Sequence, residues 1–371
     1  MADGEKPTKE QPTEEKTGKE KPKSSRFRRS SRFRRSKAPP KLSDVQKSPD
    51  VLPVAMGKKP EAPILPEKEA PPPKPRIIPS TVVNVLTVNV KEWFQTSACS
   101  EVIKFSRWGK YERRVEKGIH LILALLRQHD AKATFFILGI VAREFPEMVK
   151  LIAQEGHEIG ICGYYSRMLY SIPPKEYIKE VEMSISLLKG LTGQEITVHR
   201  APGWSVTRNT LWVMDILKTY GIKYDSSIYP MKAPLYGIEH APRFPYTINP
   251  QGIIEFPPTT FQFIGKNIAL FGGPYLRLLP YSLLSMGFDK VNMDGHQVMV
   301  HISPWEMEAE FPRIKLGWDG YFSQYAGLKS AFSKVSRLLG DRKFDTLTNV
   351  LNNNKPTETI NINALKKKRI V

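Results

Sequence analysis

From Ser80 onward, segments with the pattern of a β-strand alternate with segments with the pattern of an α-helix, and this alternation constrains the fold most. Residues 82–90 form a largely β-branched apolar run, which predicts a buried strand. In residues 115–129 the apolar positions fall on one helical face. Further strands are predicted at 133–138, 158–162, 196–199 and 297–302, and further helices at 145–155, 174–191 and 210–220. Such alternation predicts parallel strands joined by crossover helices.

A closed (β/α) barrel and an open doubly wound sheet share this pattern. No glycine-rich phosphate-binding motif follows the first strand, which argues against a dinucleotide site. In both architectures, reactive side chains lie just beyond the carboxyl ends of the strands. The segments at those ends are 89–92, 162–166, 200–202, 225–227 and 301–306.

The first 79 residues have a different composition. They hold 15 of the 31 prolines and almost no apolar runs, so they cannot bury enough surface to offset the entropy of ordering. We predict a disordered, basic, Pro-rich tail at 1–79, an α/β domain at 80–345, and a basic polar C-terminal tail at 346–371.

The chain is strongly basic, with a net charge of +19, and residues 1–79 carry 20 Lys and Arg against 11 Asp and Glu. Such a balance suits an anionic partner, namely membrane headgroups, nucleic acid or an acidic glycan, although a solvated basic surface is an equal alternative. Residues 25–30 and 31–36 repeat the hexamer SRFRRS. This repeat can bind anionic lipid or, less favoured, nucleic acid, or it is a duplication with no dedicated partner.

The sequence also favours a compartment. Two cysteines are too few for a disulfide framework. The N-terminus has no apolar signal-peptide core, and no apolar stretch approaches the length of a membrane span. We expect a cytoplasmic protein, which the hexamer repeat would hold peripherally at the inner face of the membrane.

Several short segments together resemble the NodB-homology polysaccharide deacetylases, in the order and spacing of that family. They are LTV at 86–88, KATFF at 132–136, GHEI at 156–159, RAP at 200–202, YDSS at 224–227 and PWE at 304–306. EFPP at 255–258 and GGPY at 272–275 are similar to the branch associated with exosortase and exopolysaccharide systems. The resemblance covers nearly all of 80–345 and implies a distorted seven-stranded (β/α) barrel.

The resemblance also implies a chemistry, which is the metal-assisted removal of N-acetyl groups from amino sugars. In the family, a carboxylate and two histidines hold a zinc-like ion, an Asp acts as the base and a His protonates the leaving amine. This sequence departs from that pattern at most of these positions. The base position is Asn89, the metal carboxylate is Lys91 or Glu92, the two histidines are Cys162 and Ser166, and the acid is Ser303. We therefore expect no resident metal.

Two supporting residues of the family are retained. By resemblance, Arg200 orients the base and Asp225 orients the acid imidazole. Because unpaired buried charges are costly, we predict that Arg200 and Asp225 pair with each other. Asn89 should then hydrogen-bond Arg200 or a sugar hydroxyl.

A rebuilt site is the alternative. Glu92, Cys162 and His301 could hold zinc or a similar divalent ion, although burial in the core is favoured for both Cys162 and His301. Aromatic residues at the mouth could stack on sugars or pack the loops. For Tyr164 and Tyr165 we favour ligand contact, for Trp305 we favour packing, and Trp204 stays open.

The sequence thus supports three hypotheses. The first is a deacetylase-like pseudoenzyme of exopolysaccharide or cell-envelope carbohydrate metabolism, which binds an N-acetylated glycan polymer or an envelope-polysaccharide enzyme. The second is an active hydrolase that cleaves the C–N bond of N-acetylated sugars with the rebuilt site. The third is a scaffold whose basic tail binds membrane or nucleic acid.

Overall fold

Strand β1 (Val83–Val90) lies inside the sheet, with a neighbouring strand on each side, and most of its side chains are buried on both faces. The computed structural model describes residues 81–100 and 102–367. Within them Val85 and Val88 are fully buried. Strands buried on both faces are typical of parallel sheets covered by helices. The predicted N-terminal tail and its hexamer repeat lie outside the described residues.

The other strands follow in chain order. They are β2 (Thr134–Ile137), β3 (Glu158–Ile161), β4 (Val198–His199), β5 (Tyr224–Asp225), β6 (Tyr246–Asn249), β7 (Ile253–Glu255), β8 (Thr260–Phe263), β9 (Lys266–Ala269), β10 (Met299–Ile302), β11 (Lys343–Asp345) and β12 (Thr359–Asn361).

Seven strands run parallel in the order β10-β1-β2-β3-β4-β5-β7. At the seam between the two ends of this path, the backbone N–H of Met299 donates to Thr259 Oγ1 at 2.8 Å. The arrangement is the predicted distorted seven-stranded barrel. Strand β6 pairs antiparallel with β7 and parallel with β12, whereas β8 and β9 form a separate hairpin.

The helices cover the sheet. They are α1 (Val115–Gln128), α2 (Gly139–Glu144), α3 (Pro146–Gln154), α4 (Pro174–Thr192), α5 (Val213–Thr219), α6 (Gly273–Leu278), α7 (Tyr281–Met293), α8 (Pro304–Met307), α9 (Trp318–Tyr325), α10 (Ala331–Asp341), α11 (Leu347–Asn353) and α12 (Ile362–Lys366). As predicted, α1 buries Ile119, Ile122 and Leu126 on one face. Helix α4 ends at Gly193, whose φ of 70° favours glycine.

The structure corrects the predicted boundary at residue 345. Residues after it carry α11, β12 and α12 rather than a polar tail. Leu347, Val350 and Leu351 are buried in the same core as β1. Of the helices in the described part of the chain, none is both long enough and apolar enough to cross a membrane.

Candidate functional site

A cavity of about 370 Å³ lies at the carboxyl ends of the parallel strands. Asn89 near the end of β1, Cys162 after β3, Arg200 after β4 and Ser303 after β10 all line it. It is therefore in the position where parallel α/β barrels carry their reactive groups. Predicted site residues that line the cavity are Asn89, Lys91, Cys162, Arg200, Trp204, His301, Ser303 and Trp305.

Arg200 is fully buried in the wall of this cavity, and its guanidinium hydrogen-bonds uncharged groups. Its guanidinium donates to Asn89 Oδ1 at 3.0 Å and to Thr87 Oγ1 at 2.9 Å, so the predicted Asn89 contact is confirmed. It also donates to the backbone oxygen of Ser226 at 3.0 Å. Burial lowers the pKa of Arg200 to about 9, although nearby anionic groups oppose the shift. The side chain thus remains charged at neutral pH.

Two aromatic rings enclose the same guanidinium. Its central carbon lies 4.0 Å from the Phe136 ring centroid and 4.4 Å from that of Trp204. Cation–π contact with the two rings offsets part of the cost of burying the charge. The predicted Arg200–Asp225 pair is wrong, because rings and neutral acceptors surround Arg200 and Asp225 has other partners.

Asp225 belongs to a separate, fully buried network. Its Oδ1 lies 2.6 Å from His199 Nδ1 and accepts a hydrogen bond from Ser227 Oγ at 2.6 Å. The other His199 nitrogen lies 2.6 Å from the hydroxyl of Tyr177. Asp225 therefore does have an imidazole partner, but neither residue lines the cavity.

Glu255 extends this network from the neighbouring strand. Its Oε1 accepts the backbone N–H groups of Ser227 and Ile228 at 3.0 and 2.9 Å. Burial, together with the adjacent carboxylate of Asp225, raises the pKa of Glu255 well above its ordinary value. The raised pKa favours the protonated form of Glu255, which can donate a hydrogen bond to Asp225.

Glu92 faces away from the cavity and caps helix α1. Its carboxylate accepts the backbone N–H of Arg114 at 3.0 Å and that of Val115 at 3.3 Å. Burial raises the pKa of Glu92 to about 7, against the opposing effect of these hydrogen bonds. The proposed use of Glu92 in a rebuilt metal site is therefore wrong, since its carboxylate accepts hydrogen bonds from the N-terminus of α1.

Lys91, and not its neighbour Glu92, is the residue of this pair that lines the cavity. It is half-buried and makes no hydrogen bond or ion pair with the described residues. Burial lowers the pKa of Lys91, and the nearby Cys162 and Glu306 side chains oppose this shift. Cys162 is a buried thiol whose pKa burial raises.

His301 lines the cavity with its ring packed among other residues. The ring lies edge-on to Trp204, with 5.0 Å between centroids. A Cβ at Gly272 would fall 2.0 Å from His301 Nε2, so glycine there makes room for the imidazole. Burial lowers the pKa of His301 to about 3, and the positive charges of Arg200 and Lys91 add to the shift. His301 is therefore neutral near pH 7 and has no imidazolium proton to donate.

Ser303, at the family's acid position, begins helix α8. Its backbone N–H donates to Glu306 Oε2 at 2.8 Å. Glu306 Oε1 lies 3.2 Å from Arg277 Nε, and both side chains are almost completely buried. The carboxylate nearest the acid position is thus engaged with Arg277.

These residues do not fit a catalytic metal ion. In the cavity the candidate donors are a thiol with a raised pKa, a neutral imidazole and a carboxylate bound to Arg277. Among residues 81–100 and 102–367, no three His, Cys, Asp or Glu side chains are grouped to hold an ion. Ser166, at another metal position, is outside the cavity and donates to the backbone oxygen of Gln95 at 3.0 Å.

The structure contradicts the predicted ligand contact of Tyr164 and Tyr165, whereas it agrees with the predicted packing of Trp305. Tyr164 is 3% exposed and packs against Tyr165, with 4.6 Å between ring centroids, and neither residue lines the cavity. Trp204 and Trp305 do line it. Trp305 is also packed, since the Arg277 guanidinium lies 5.2 Å from its ring centroid, and its Nε1 is a buried donor without a partner.

Other cavity residues were not identified from the sequence. The wall also includes Tyr229, Tyr236, Tyr275, Arg277 and Glu306, and Leu235 and Tyr170 are exposed where they line it. Tyr275 lies in GGPY and Glu306 in PWE, so those motifs were the available signal.

Comparisons with known proteins agree with this geometry. Residues 112–224 match the family described as polysaccharide deacetylase, and residues 226–352 match a domain of unknown function, DUF3473. The chain therefore carries a polysaccharide deacetylase domain followed by a DUF3473 region, and the predicted family resemblance is confirmed. Both regions contribute to the cavity wall.

Curated relatives match over part of their length. A peptidoglycan deacetylase from Helicobacter pylori is 33% identical over 113 residues, which are 30% of this chain and 38% of the relative. A peptidoglycan-N-acetylglucosamine deacetylase from Bacillus cereus is 33% identical over 117 residues, 28% of this chain and 42% of the relative. The chain thus spans about two fifths of the length of these relatives.

The fold is also similar to a solved structure. A crystal structure described as a polysaccharide deacetylase from Mycobacterium smegmatis superposes with a TM-score of 0.51 at 16% sequence identity. The superposition covers 76% of this chain and 91% of the other. It supports the deacetylase type of barrel.

Proposed function

We propose that this protein is a non-catalytic, glycan-binding member of the deacetylase family that acts in exopolysaccharide or cell-envelope carbohydrate metabolism. The observation that carries the proposal is Lys91, an ammonium group without a partner among the described residues, in the cavity at the family's metal position. It would repel a divalent cation there.

The proton-transfer groups support the same conclusion. Asn89 is an amide bound to Arg200 and cannot act as a base at neutral pH. Ser303 replaces the acid, and neutral His301 lies among aromatic rings with a strongly lowered pKa. Neither Asn89 nor Ser303 can therefore perform the acid–base role of its position in the family.

The cavity is nevertheless suited to a sugar. Its volume of about 370 Å³ is in the range of small-molecule sites. Trp204, Trp305 and Tyr229 supply apolar ring surface, and Tyr170 and Leu235 provide exposed contacts. The named substrates of the relatives are cell-wall polymers, so an N-acetylated glycan is the ligand class we propose, either free or presented by an envelope-polysaccharide enzyme.

Two measurements on the full chain test the proposal. Acetate release from chitopentaose, with and without added Zn²⁺ or Co²⁺, should not exceed the buffer rate. Calorimetric titration with chitopentaose should show binding that Trp204→Ala weakens by about tenfold, because a ring that can stack on a sugar is lost from the cavity wall. Trp318→Ala removes a tryptophan that is 81% exposed and outside the cavity, and should bind as the parent does.

The two parts of the proposal, absence of catalysis and glycan binding, are contradicted by different results. Metal-dependent acetate release would overturn the non-catalytic part of the proposal and favour the rebuilt hydrolase. Absence of both release and binding would overturn glycan recognition.

The hexamer repeat supports a second role at a membrane. We propose that its six arginines attach the chain to an anionic surface, in keeping with a cytoplasmic protein at the inner face of the membrane. Co-sedimentation with phosphatidylglycerol vesicles should fall with salt and disappear when residues 25–36 are deleted. Equal binding to phosphatidylcholine vesicles, or preference for single-stranded RNA over vesicles, would contradict this role.

A further inference from the structure

The charged side chains around the cavity are unbalanced. Of the described residues that line it, Lys91, Arg200 and Arg277 are basic and only Glu306 is acidic. Glu306 is already paired with Arg277 at 3.2 Å. Two positive charges therefore remain without a carboxylate, and neutral His301 adds none.

The two excess cations differ in their accessibility. Arg200 is 1% exposed and already donates to Asn89, Thr87 and Ser226. It therefore acts on a ligand through its field. Lys91 is half-buried and has no hydrogen-bond acceptor among the described residues, so its ammonium group is available for direct contact.

Burial lowers the pKa of Lys91, so the ammonium form of this side chain is disfavoured in the aromatic-walled cavity unless an anionic group compensates it. Water solvates it poorly there, and Arg200 adds repulsion. An anionic ligand group would replace the missing solvation and interact with both cations at once. Because electrostatic interactions are stronger at partly buried sites than in water, such a group would gain more here than on the surface.

We infer that the cavity selects a sugar that bears a carboxylate, which Lys91 contacts directly and the buried Arg200 attracts through its charge. The inference rests on the proposed glycan-binding function and adds the substrate class to it. A carboxylate is favoured over a phosphate dianion because only Lys91 is free to donate hydrogen bonds to the ligand, whereas the Arg200 guanidinium already donates to the protein. The basic chain as a whole, with a net charge of +19, would also attract a polyanionic glycan.

The experiment compares three tetrasaccharides by calorimetry on the full chain. They are a hyaluronan tetrasaccharide with glucuronate, the same molecule with its carboxyl groups reduced to alcohols, and chitotetraose. We expect the hyaluronan tetrasaccharide to bind at least tenfold more tightly than its reduced form at low salt, with a smaller ratio at high salt. Lys91→Met, which keeps the stem and removes the charge, should bring that ratio close to one.

Lys117→Met is the matched control, since Lys117 is exposed on α1 and outside the cavity. It should preserve the full ratio, and thermal unfolding should show that both variants are folded. Equal binding of the charged and reduced tetrasaccharides would overturn the anionic preference alone. An unchanged ratio in Lys91→Met would overturn the role of Lys91. If none of the three glycans binds, glycan recognition itself is overturned, and this inference with it.

Discussion

Two polar regions of the barrel, the buried network around Asp225 and the cavity around Lys91, differ in whether their polar side chains have partners within the protein. In the buried network, Tyr177, His199, Asp225 and Glu255 contact one another in a chain, and all are shielded from solvent. In the cavity, Lys91 has no such partner among the described residues. The comparison suggests that polar groups that contact one another inside the protein maintain the fold, whereas Lys91, which has no partner among the described residues, is available to a ligand.

Breaking the network should have the largest effect on stability. Asp225→Ala removes the acceptor for His199 and Ser227 and leaves both polar groups buried. We expect the free energy of unfolding to fall by about 2–5 kcal/mol, because each of the two buried donors left without an acceptor costs about 1–3 kcal/mol. Urea denaturation measures it, with the exposed Asp319→Ala as control. A loss below about 1 kcal/mol would mean that the network is not structural.

Glu92 is a buried carboxylate with hydrogen-bond donors around it, and its raised pKa predicts that stability depends on pH. Its pKa is raised from 4.5 to about 7, so the folded protein binds the proton more tightly than the unfolded chain does. The associated stability is present below about pH 4.5 and is lost as the pH rises through 7. Its upper limit is about 3 kcal/mol.

Glu92→Gln keeps an acceptor for α1 and removes the titration. The difference in unfolding free energy between the parent and this variant should therefore change between pH 5 and 8, to the disadvantage of the parent at the higher pH. A difference that is constant over this range would contradict the raised pKa.

Gly272→Ala probes the packing of the cavity wall. The added methyl group would clash with the His301 ring, and overpacking of this kind costs about 1–3 kcal/mol. His301→Ala in the same chain should restore part of that loss, as thermal or urea unfolding can measure. Gly190→Ala, in helix α4 with no atom within 4 Å, should be neutral or slightly stabilising. An equally stable Gly272→Ala variant would place the ring elsewhere.

The smallest expected change in stability is that of Lys91→Met. Because Lys91 has no partner among the described residues to lose, the unfolding free energy should stay within about 0.5 kcal/mol of the parent or rise. A loss above 2 kcal/mol would show that the lysine is structural and would remove the contrast between the two regions.

The sequence predicted the elements with strong periodicity. Strand β1 and the buried face of α1 follow directly from runs and spacings of apolar residues. The segment after residue 345 was misjudged because its Lys and Asn content conceals Leu347, Val350 and Leu351, which are spaced as on one face of a helix. Composition averages over a window, whereas burial depends on which face each residue occupies.

The site was predicted in outline, but its pairings were not. Lys91 and Glu92 are neighbours that face different ways, and only the fold decides which one reaches the cavity. The expectation that Arg200 and Asp225 pair followed from their opposite charges. It failed because His199, directly before Arg200 in the chain, is the partner of Asp225. Three-dimensional proximity of this kind is not encoded in any local pattern.

The seam between β7 and β10 has a consequence for how the chain could be divided. The match to the deacetylase family ends at residue 224, and both seam strands lie beyond it. A fragment that stops there would cut through β5 and would leave β1 paired only with β2, without its neighbours β10 and β11. Unpaired edges of that kind recruit other chains and promote aggregation. The DUF3473 region therefore supplies strands that complete the barrel. We expect the part of the chain up to residue 224 and the part after it to be soluble only when they are produced together.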